Sequence, residues 1–324
     1  MNSSPGSKRK SPNVPKIIAV VGPTASGKSD LAVKLALWVE KNKKKLGVSG
    51  AEVVSADSRQ VYRGLDIGSG KITKKEMRGV PHWLLDVASP RRVFTAHDYR
   101  QSGLKVLSDI FRRGGVPIIC GGTGFYIDSL IYSPFLPEVP PQPRLRKELA
   151  DLSLEQLAAR LEKSDPERLQ DIDIKNRRRL ERAIEVAETL GRPVPKINRN
   201  LLYPTLILGI SIEREKLKEK ISRRLKLRLK QGLIKEVYDL HHRKKVSRKR
   251  LEELGLEYRF VARFLQGKIE RKEMEEELEK EIIRYAKRQM TWFRKEKGIM
   301  WVSNFSEVKK AVTEFLKKPS IDKI

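Results

Sequence analysis

The most constraining feature of the sequence is a glycine-rich stretch near its start that fits the phosphate-loop pattern G-x-x-x-x-G-K-[ST]. A short apolar run at residues 17–21 precedes it, and apolar residues recur at helical spacing from Leu31 to Ala36. Strand, glycine loop and helix in this order predict backbone N–H groups that converge on an anion at a helix N-terminus. The residues of this stretch, called the phosphate loop below, are Gly22, Pro23, Thr24, Ala25, Ser26, Gly27, Lys28 and Ser29.

Two side chains of the phosphate loop add chemistry to its backbone. Lys28 places a full positive charge against the phosphate, and the Ser29 hydroxyl is a candidate ligand for Mg²⁺. The loop predicts a diphosphate or triphosphate ligand, and leaves open which one binds and what is done with it.

The residues around the loop predict an α/β fold. Buried strands are expected at Lys16–Val21, Glu52–Ser55, Trp83–Val87 and Val116–Cys120, with helices at Ser29–Glu40 and His97–Arg112. Strands alternating with helices predict a P-loop-type parallel sheet flanked by helices.

The chain changes character at a proline-rich stretch that begins at residue 134. A charged, helix-forming segment follows, then a further strand at 206–210, and then helices with one short strand at 299–302. We therefore expect a helical insertion domain at 134–203, an α/β core at 16–133 and 204–315 with a helical C-terminal part, and a disordered basic tail at 1–15.

Charge indicates the class of partner. The formal net charge is +28, which is far more than solubility needs and is typical of a protein that binds nucleic acid. In the segment 287–297 the basic residues are interleaved with Trp292 and Phe293, a pattern that suits RNA phosphates and unpaired bases. A solvated helix face with two core aromatics is the alternative for that segment.

Cysteine content and hydropathy exclude several other classes. The single cysteine, Cys120, excludes an internal disulfide and a cysteine-built zinc site. The N-terminus lacks the apolar core of a secretory signal, and no run of about 18 apolar residues exists. We therefore expect no membrane association and a cytoplasmic location.

Candidate site residues follow the predicted strands, because ligands of open parallel sheets bind at the carboxyl ends of the strands. Asp57 follows the second strand and can serve as a general base or Mg²⁺ ligand, or simply cap a turn. The turn Gly121–Gly124 is predicted to let backbone approach a ligand, with Thr123 directing it. The residues alone leave a kinase and a diphosphate-releasing transferase open.

Six segments in this order resemble the tRNA dimethylallyltransferase (tRNA isopentenyltransferase) family: GPTASGKS, SADSRQVYRGLDIGSGK, PHWLLD, GGTGFYI, NRRRLERAIEV and KRQMTWFR. The resemblance runs from about Lys16 to Val302. It implies transfer of the dimethylallyl group from dimethylallyl diphosphate to N6 of the adenosine just 3′ of the anticodon, in tRNAs that read codons beginning with U. The implied cofactor is Mg²⁺, and the implied partner is the tRNA anticodon stem-loop, bound by a monomer.

The resemblance also implies roles for individual residues. It assigns the phosphate loop to the diphosphate, and Asp57, Thr123, Lys28 and Arg224 to catalysis, with Asp57 as the base. The residues that it assigns to tRNA contact are Asp57, Ser58, Arg59, Gln60, Thr123, Arg146, Arg178, Arg179, Leu180, Glu181, Arg182, the stretch Leu251–Leu256, Lys287, Arg288, Gln289, Met290, Thr291, Trp292, Phe293 and Arg294.

The sequence departs from the family pattern at several positions. DIGSGK replaces the commoner DIGTAK, so Gly70 stands in place of an alanine. Trp83 replaces a second histidine, LGLEYR alters the Leu251–Leu256 region, and Arg228 stands where an apolar residue is frequent. None of these departures touches Gly22, Lys28, Asp57 or Thr123.

Three other functions remain as alternatives. An adenylate isopentenyltransferase, which modifies free AMP or ATP, shares the diphosphate motifs but does not need the basic helical half. A small-molecule kinase shares the phosphate loop. A non-enzymatic RNA-binding NTP switch would not need Asp57 for its activity.

Overall fold

The computed structural model describes residues 15–133, 139–194 and 199–318. The chain forms two compact units: a sheet unit made of the residues up to Ile131 and from Leu201 onward, and a helical unit, Tyr132–Asn200. The helical unit thus begins at Tyr132 and ends at Asn200, whereas the sequence predicted an insertion at 134–203. The predicted basic tail lies, apart from Pro15, outside the described residues.

The sheet unit is built on a six-stranded sheet with the order β3-β2-β4-β1-β7-β8, and all of its strand pairs are parallel. The predicted parallel sheet is therefore confirmed. A separate two-stranded sheet joins β5 and β6. The strands are β1 (Ile17–Val21), β2 (Ala51–Ser55), β3 (His82–Trp83), β4 (Val116–Gly121), β5 (Tyr132–Ser133), β6 (Asn200–Leu201), β7 (Thr205–Ile210) and β8 (Ile299–Val302).

Helices fill most of the remaining described chain. They are α1 (Lys28–Lys41), α2 (Lys43–Leu46), α3 (Lys74–Met77), α4 (Ala96–Arg112), α5 (Gly124–Ile131), α6 (Pro143–Ala150), α7 (Leu154–Ser164), α8 (Pro166–Asp171), α9 (Arg177–Leu190), α10 (Arg214–Lys230), α11 (Leu233–His242), α12 (Arg248–Leu254), α13 (Leu256–Leu265), α14 (Arg271–Lys295) and α15 (Phe305–Lys317). No helix in these described ranges has the length and apolar content that crossing a membrane requires.

The core of the sheet unit lies between the strands and the helices that cover them. Every residue of β1 is fully buried, which explains its uninterrupted apolar sequence, because a parallel strand covered on both faces has no polar side. Valines and leucines of β2, β4 and β7 pack with α1 and α15 in one continuous cluster.

The predicted strand at Trp83–Val87 is wrong beyond its first residue. Strand β3 ends at Trp83, and Leu84 and Asp86 have φ angles of +63° and +57°. A left-handed backbone cannot continue a strand, so the apolar run WLLDV folds into a turn.

The first strand and the last helix are joined by Lys16. Its buried ammonium donates hydrogen bonds to the carbonyl oxygens of Phe315 (3.0 Å), Leu316 (3.0 Å) and Lys318 (2.5 Å). These carbonyls belong to the end of α15, where helical carbonyls lack backbone partners and a cation is favoured. Lys16 thereby fixes α15 against the start of β1.

The helical unit contains α6–α9 and has its own small core. Leucines from α6, α7 and α9 meet there, including the fully buried Leu149, Leu161 and Leu180. Helix α7 begins at a capping box formed by Ser153 and Gln156. The proline-rich stretch that precedes this unit lies outside the described residues at 134–138.

Candidate active site

The phosphate loop joins β1 to α1 and has the geometry of an anion site. Gly27 precedes α1 with φ +95°, a conformation that favours glycine, and Ala25 is also left-handed at φ +63°. Among the described residues, the backbone N–H groups of Gly27, Lys28 and Ser29 have no hydrogen-bond acceptor. Free N–H groups at a helix N-terminus are suited to bind an anion.

Ser26 points to the same ligand. Its hydroxyl is buried and makes no hydrogen bond within the described chain. A buried polar atom without a partner is costly, so a group that completes its hydrogen bonding is expected. A phosphate oxygen bound in the loop would do so.

Two cations flank the loop. Lys28 Nζ donates to the Pro23 carbonyl at 3.2 Å, and the Arg224 guanidinium donates to the Thr24 hydroxyl. Burial lowers the pKa of Lys28, and Arg224 lowers it further. Burial, and then the neighbouring Arg228, lower the pKa of Arg224 to about 10, so this guanidinium stays charged at neutral pH. The structure thus brings the predicted Lys28 and Arg224 together at the phosphate loop.

Ser29 contacts the only cysteine of the chain. Its hydroxyl hydrogen-bonds the Cys120 thiol, and burial raises the pKa of that thiol to about 11, which keeps it neutral. In the ranges that the structure describes, no group of three or more His, Cys, Asp or Glu residues could hold a metal ion. Ser29 is the residue of the phosphate loop whose hydroxyl oxygen could hold Mg²⁺.

Asp57 lies just beyond β2 and is oriented by its own turn. Its Oδ1 accepts the backbone N–H groups of Arg59 (2.8 Å) and Gln60 (3.4 Å), while Oδ2 makes no hydrogen bond among the described residues. Asp57 is close enough to Lys28 and Arg224 to interact electrostatically with both. The carboxylate therefore caps a turn with one oxygen and keeps the other available as a base.

Thr123 connects the turn after β4 to the turn after β2. Its hydroxyl accepts the Ser58 backbone N–H at 3.1 Å, and its backbone N–H donates to the Ala56 carbonyl at 3.2 Å. The Tyr285 hydroxyl also hydrogen-bonds Thr123. The structure thus places the predicted Asp57, Ser58 and Thr123 at one edge of the sheet.

Tyr285 is a site residue that the sequence analysis missed. Burial, together with the Asp57 carboxylate, raises its pKa to about 12, so it is a neutral hydrogen-bonding group. Tyr285 lies one helical turn before Gln289, on the same face of α14, and this spacing was the signal available in the sequence.

Comparison with known proteins identifies the family. Residues 60–296 match the family model for IPP transferase. The tRNA dimethylallyltransferase 2 of Citrifermentans bemidjiense is 40% identical over 309 residues, which cover 94% of this chain and 96% of that protein. The chain belongs to the IPP transferase family.

Solved structures agree with this assignment. The tRNA isopentenylpyrophosphate transferase of Bacillus halodurans is 32% identical, has a TM-score of 0.66, and the match covers 93% of this chain and 95% of that one. A eukaryotic dimethylallyltransferase that acts on tRNA has a TM-score of 0.71 at 22% identity, and the match covers 93% of this chain and 77% of that one. At this identity the match supports the fold alone. The resemblance found in the sequence is confirmed, and the names of the relatives favour it over the kinase, adenylate-modifying and switch alternatives.

The glycines of the turn after β4 lie against protein atoms in this IPP transferase. A Cβ atom on Gly121 would collide with the Ala56 carbonyl, one on Gly122 with the Gln289 amide, and one on Gly124 with the Trp292 indole. The glycines of this turn therefore make room for protein atoms.

The predicted tRNA-contacting stretch on α14 has two sides. Lys287, Thr291 and Arg294 are exposed, as is Trp292 at 39%, and Arg288 pairs with Glu281 at 2.7 Å. Gln289 and Phe293 are 6% and 3% exposed, so their side chains face the protein and cannot contact tRNA as predicted. Met290 is partly buried.

The stretch Leu251–Leu256 of this IPP transferase also faces inward in part. Leu251 and Leu254 are buried, and the Leu254 carbonyl accepts the Arg59 guanidinium at 2.6 Å. Side-chain contact of these two leucines with tRNA, as predicted, is excluded by their burial. The stretch instead holds Arg59, while Gln60 donates to the Gly70 carbonyl at 3.2 Å.

In the helical unit, only part of the predicted RNA-binding set is available. Arg146 donates to the fully buried Glu185 through Nε and Nη2, at 2.7 and 2.8 Å, and Arg182 binds the same carboxylate. Burial alone would raise the pKa of Glu185, but hydrogen bonds from Arg146, the Gln142 backbone and Arg182 outweigh it and lower the pKa to about 2. Arg146 and Arg182 are thus committed to this carboxylate.

The remaining residues of the α9 stretch divide between core and surface. Leu180 is fully buried and Glu181 pairs with Arg177 at 3.0 Å, so the predicted tRNA contacts of these two side chains are not available. Arg178 and Arg179 are exposed, and among the described residues neither guanidinium has a partner. They are the cations of this stretch that remain for RNA phosphates.

Proposed function

We propose that the chain transfers the dimethylallyl group of dimethylallyl diphosphate to N6 of the adenosine just 3′ of the anticodon, in tRNAs that read codons beginning with U. The observation that carries the proposal is that Asp57, just beyond β2, and the phosphate loop, just beyond β1, lie at the same carboxyl edge of the parallel sheet, where β1 and β2 both pair with β4. A base and an anion site therefore lie side by side. The names of the relatives and their high coverage support the same reaction.

The diphosphate half of the reaction is electrostatic. As the C1–O bond of the substrate breaks, its electron pair leaves with the diphosphate. The free N–H groups of the loop, Lys28 and Arg224 stabilise the charge that develops there. Ser29 is the loop residue that would hold Mg²⁺, and the ion would supply further charge neutralisation there.

The adenosine half needs a base. The N6 lone pair forms the new bond to C1, and the amino group then gives up a proton. Asp57 Oδ2 accepts that proton, while the backbone N–H groups of Arg59 and Gln60 hold Oδ1 in place. Thr123 and Ser58 are hydrogen-bonded to one another beside Asp57, and they orient this catalytic carboxylate.

Binding of tRNA draws on the positive charge of the chain. Arg178 and Arg179 on α9 and the exposed cations Lys287 and Arg294 on α14 contact phosphates. The target base leaves its stack to reach Asp57, which is least costly for a loop nucleotide. We propose that the chain acts as a monomer, which is supported by the origin of the residues around the phosphate loop in a single sheet unit.

A single experiment tests the reaction. Purified protein is incubated with labelled dimethylallyl diphosphate and either tRNA or AMP, and the nucleosides are analysed by mass spectrometry. We expect N6-dimethylallyladenosine in tRNA and none in AMP. Modified AMP with unmodified tRNA would contradict the proposal.

Variants of two aspartates refine that test. Asp57→Asn removes the base, so we expect transfer to fall by about 10²–10⁴-fold while tRNA affinity is retained. The matched control is Asp109→Asn, a surface residue of α4 that pairs with Arg112, and it should transfer at the wild-type rate. Full activity of Asp57→Asn would exclude Asp57 as the base.

A further inference from the structure

The buried side chain of Gln289 makes two hydrogen bonds to loops of the sheet unit. It is 6% exposed, its Oε1 accepts the Thr24 backbone N–H at 2.8 Å, and its Nε2 donates to the Gly122 carbonyl at 2.7 Å. Thr24 belongs to the phosphate loop, and Gly122 to the turn after β4. One side-chain amide therefore spans the two loops that end β1 and β4.

We propose that Gln289 is a positioning residue for the diphosphate, which acts through the phosphate loop and not through contact with tRNA. This inference rests on the proposed function, since it assumes that the loop binds the diphosphate of the dimethylallyl donor. It reassigns a residue of a stretch whose basic and aromatic composition indicates RNA binding.

The position of Thr24 explains how Gln289 acts. The Thr24 backbone N–H is bound to Gln289 and its hydroxyl is bound to Arg224. The N–H and the hydroxyl of Thr24 are thus fixed from outside the loop, and this sets where the next N–H groups point. Because buried hydrogen bonds are costly to break, the loop is held in its anion-binding conformation before the ligand arrives.

The other end of Gln289 leads to the adenosine side. Gly122 is followed by Thr123, whose hydroxyl accepts the Ser58 N–H next to Asp57. The diphosphate site and the base are therefore linked through a short chain of hydrogen bonds in which Gln289 is the central member. Such a link sets the distance between leaving group and base, on which the reaction depends.

Neighbouring contacts of α14 confirm that this face of the helix is built against the turn. Tyr285, four residues before Gln289, hydrogen-bonds Thr123, and Trp292, three residues after it, packs on Gly124. Spacings of four and three residues place all three on one helix face. The opposite face, with Lys287 and Arg294, is the one open to RNA.

Two variants separate the hydrogen bonds of Gln289. Gln289→Met keeps the length of the side chain and removes both bonds. Gln289→Glu keeps the acceptor for Thr24 and loses the donor to Gly122 when it is ionised. We measure the Kd for inorganic diphosphate by calorimetry, the Kd for tRNA by filter binding, and the KM for dimethylallyl diphosphate.

We expect Gln289→Met to raise the diphosphate Kd and the donor KM about tenfold, with the tRNA Kd within about twofold of wild type. Gln289→Glu should bind diphosphate about as weakly as Gln289→Met at neutral pH. Its diphosphate Kd should approach that of wild type as the pH is lowered, because a protonated carboxyl can donate to the Gly122 carbonyl. Recovery of diphosphate binding without a matching rise in melting temperature distinguishes this role from a role in folding alone.

The control is Arg294→Met, an exposed residue on the same helix, for which we expect a weaker tRNA Kd and an unchanged diphosphate Kd. Weaker tRNA binding by Gln289→Met with an unchanged diphosphate Kd would overturn the proposal, as would wild-type values of both. Thermal unfolding shows whether Gln289→Met folds, and if it does not, the pH recovery of Gln289→Glu decides. If the wild-type chain binds diphosphate but does not modify tRNA, the proposed function fails and the diphosphate measurement still decides the role of Gln289.

Discussion

At the scale of single residues, the buried ion pair of Arg228 and Glu257 accounts for two departures from the family pattern at once. Arg228 donates to Glu257 at 2.6 Å and to the Gly68 carbonyl at 3.0 Å, and both side chains are buried. A Cβ atom on Gly70 would collide with this guanidinium, and Gly70 has φ +61°. Position 70 holds glycine in place of the commoner alanine because position 228 holds arginine in place of the commoner apolar residue, and the guanidinium needs the space.

This coupling can be measured with a double-mutant cycle. Gly70→Ala should destabilise the chain by about 2 kcal/mol through the clash and the left-handed backbone. Arg228→Leu should cost about 3 kcal/mol because Glu257 is left buried without its partner. In the double variant the clash is absent, so we expect a total at least about 1 kcal/mol below the sum in urea unfolding. Strict additivity would show that the two departures are independent.

The pKa of Lys28 predicts a pH dependence of donor binding. Burial lowers the pKa from 10.5, so the free enzyme loses the Lys28 charge at a lower pH than an ordinary lysine would. We expect kcat/KM for dimethylallyl diphosphate to fall as the pH rises, and the fall to begin at a lower pH than an ordinary lysine would give, because that ratio reports groups of the free enzyme.

The comparison variant for this profile is Lys28→Arg, which keeps its charge over the same range. Its kcat/KM should start lower and decline less steeply than that of wild type. Parallel profiles for the two proteins would place the titrating group elsewhere.

At the scale of elements, α9 uses its arginines in two ways. Arg146 from α6 and Arg182 neutralise Glu185 inside the unit, while Arg178 and Arg179 are exposed. The run NRRRLER looks uniform in sequence, but the helical period directs neighbouring arginines to different surroundings.

Neutralising the exposed pair tests this division. Arg178→Gln combined with Arg179→Gln should weaken tRNA binding and reduce the slope of log Kd against log salt by about 1.5, since two phosphate contacts are lost. Lys163→Gln, an exposed cation on α7, is the control for a general charge effect. An unchanged slope in the double variant would remove α9 from the RNA interface.

Elements differ in how far the sequence predicts them. Strands β1, β2, β4 and β7 were predictable because a strand covered on both faces is apolar throughout. The inward orientation of Gln289 could not be predicted, because its partners Thr24 and Gly122 lie 265 and 167 residues away in the chain. Composition identified α14 as a functional helix, and only tertiary contacts show which of its faces meets the sheet.

The same contrast applies to the catalytic groups. The phosphate loop and Asp57 could be placed together from the rule that strands of a parallel sheet end at one edge. The protein atoms packed against the glycines of the turn after β4 could not be predicted, since a close approach by protein and one by ligand require the same residue type.

At the scale of the whole molecule, the sheet unit is continuous in space although it is interrupted in sequence. The chain leaves the sheet unit after Ile131 and returns at Leu201, and the Leu202 backbone N–H donates to the Ile131 carbonyl at 2.8 Å. Lys16 fixes β1 to the end of α15, so both parts of the unit are joined at a second place.

The bond between Ile131 and Leu202 has a consequence for how such a chain can change. The two ends of the interruption lie one hydrogen bond apart, a gap that a tight turn can bridge. A segment of any length can therefore be spliced in, exchanged or removed there without shifting the register of any strand in the six-stranded sheet. The sheet unit, with its phosphate loop and Asp57, can in this respect stay constant while the segment between Ile131 and Leu202 changes.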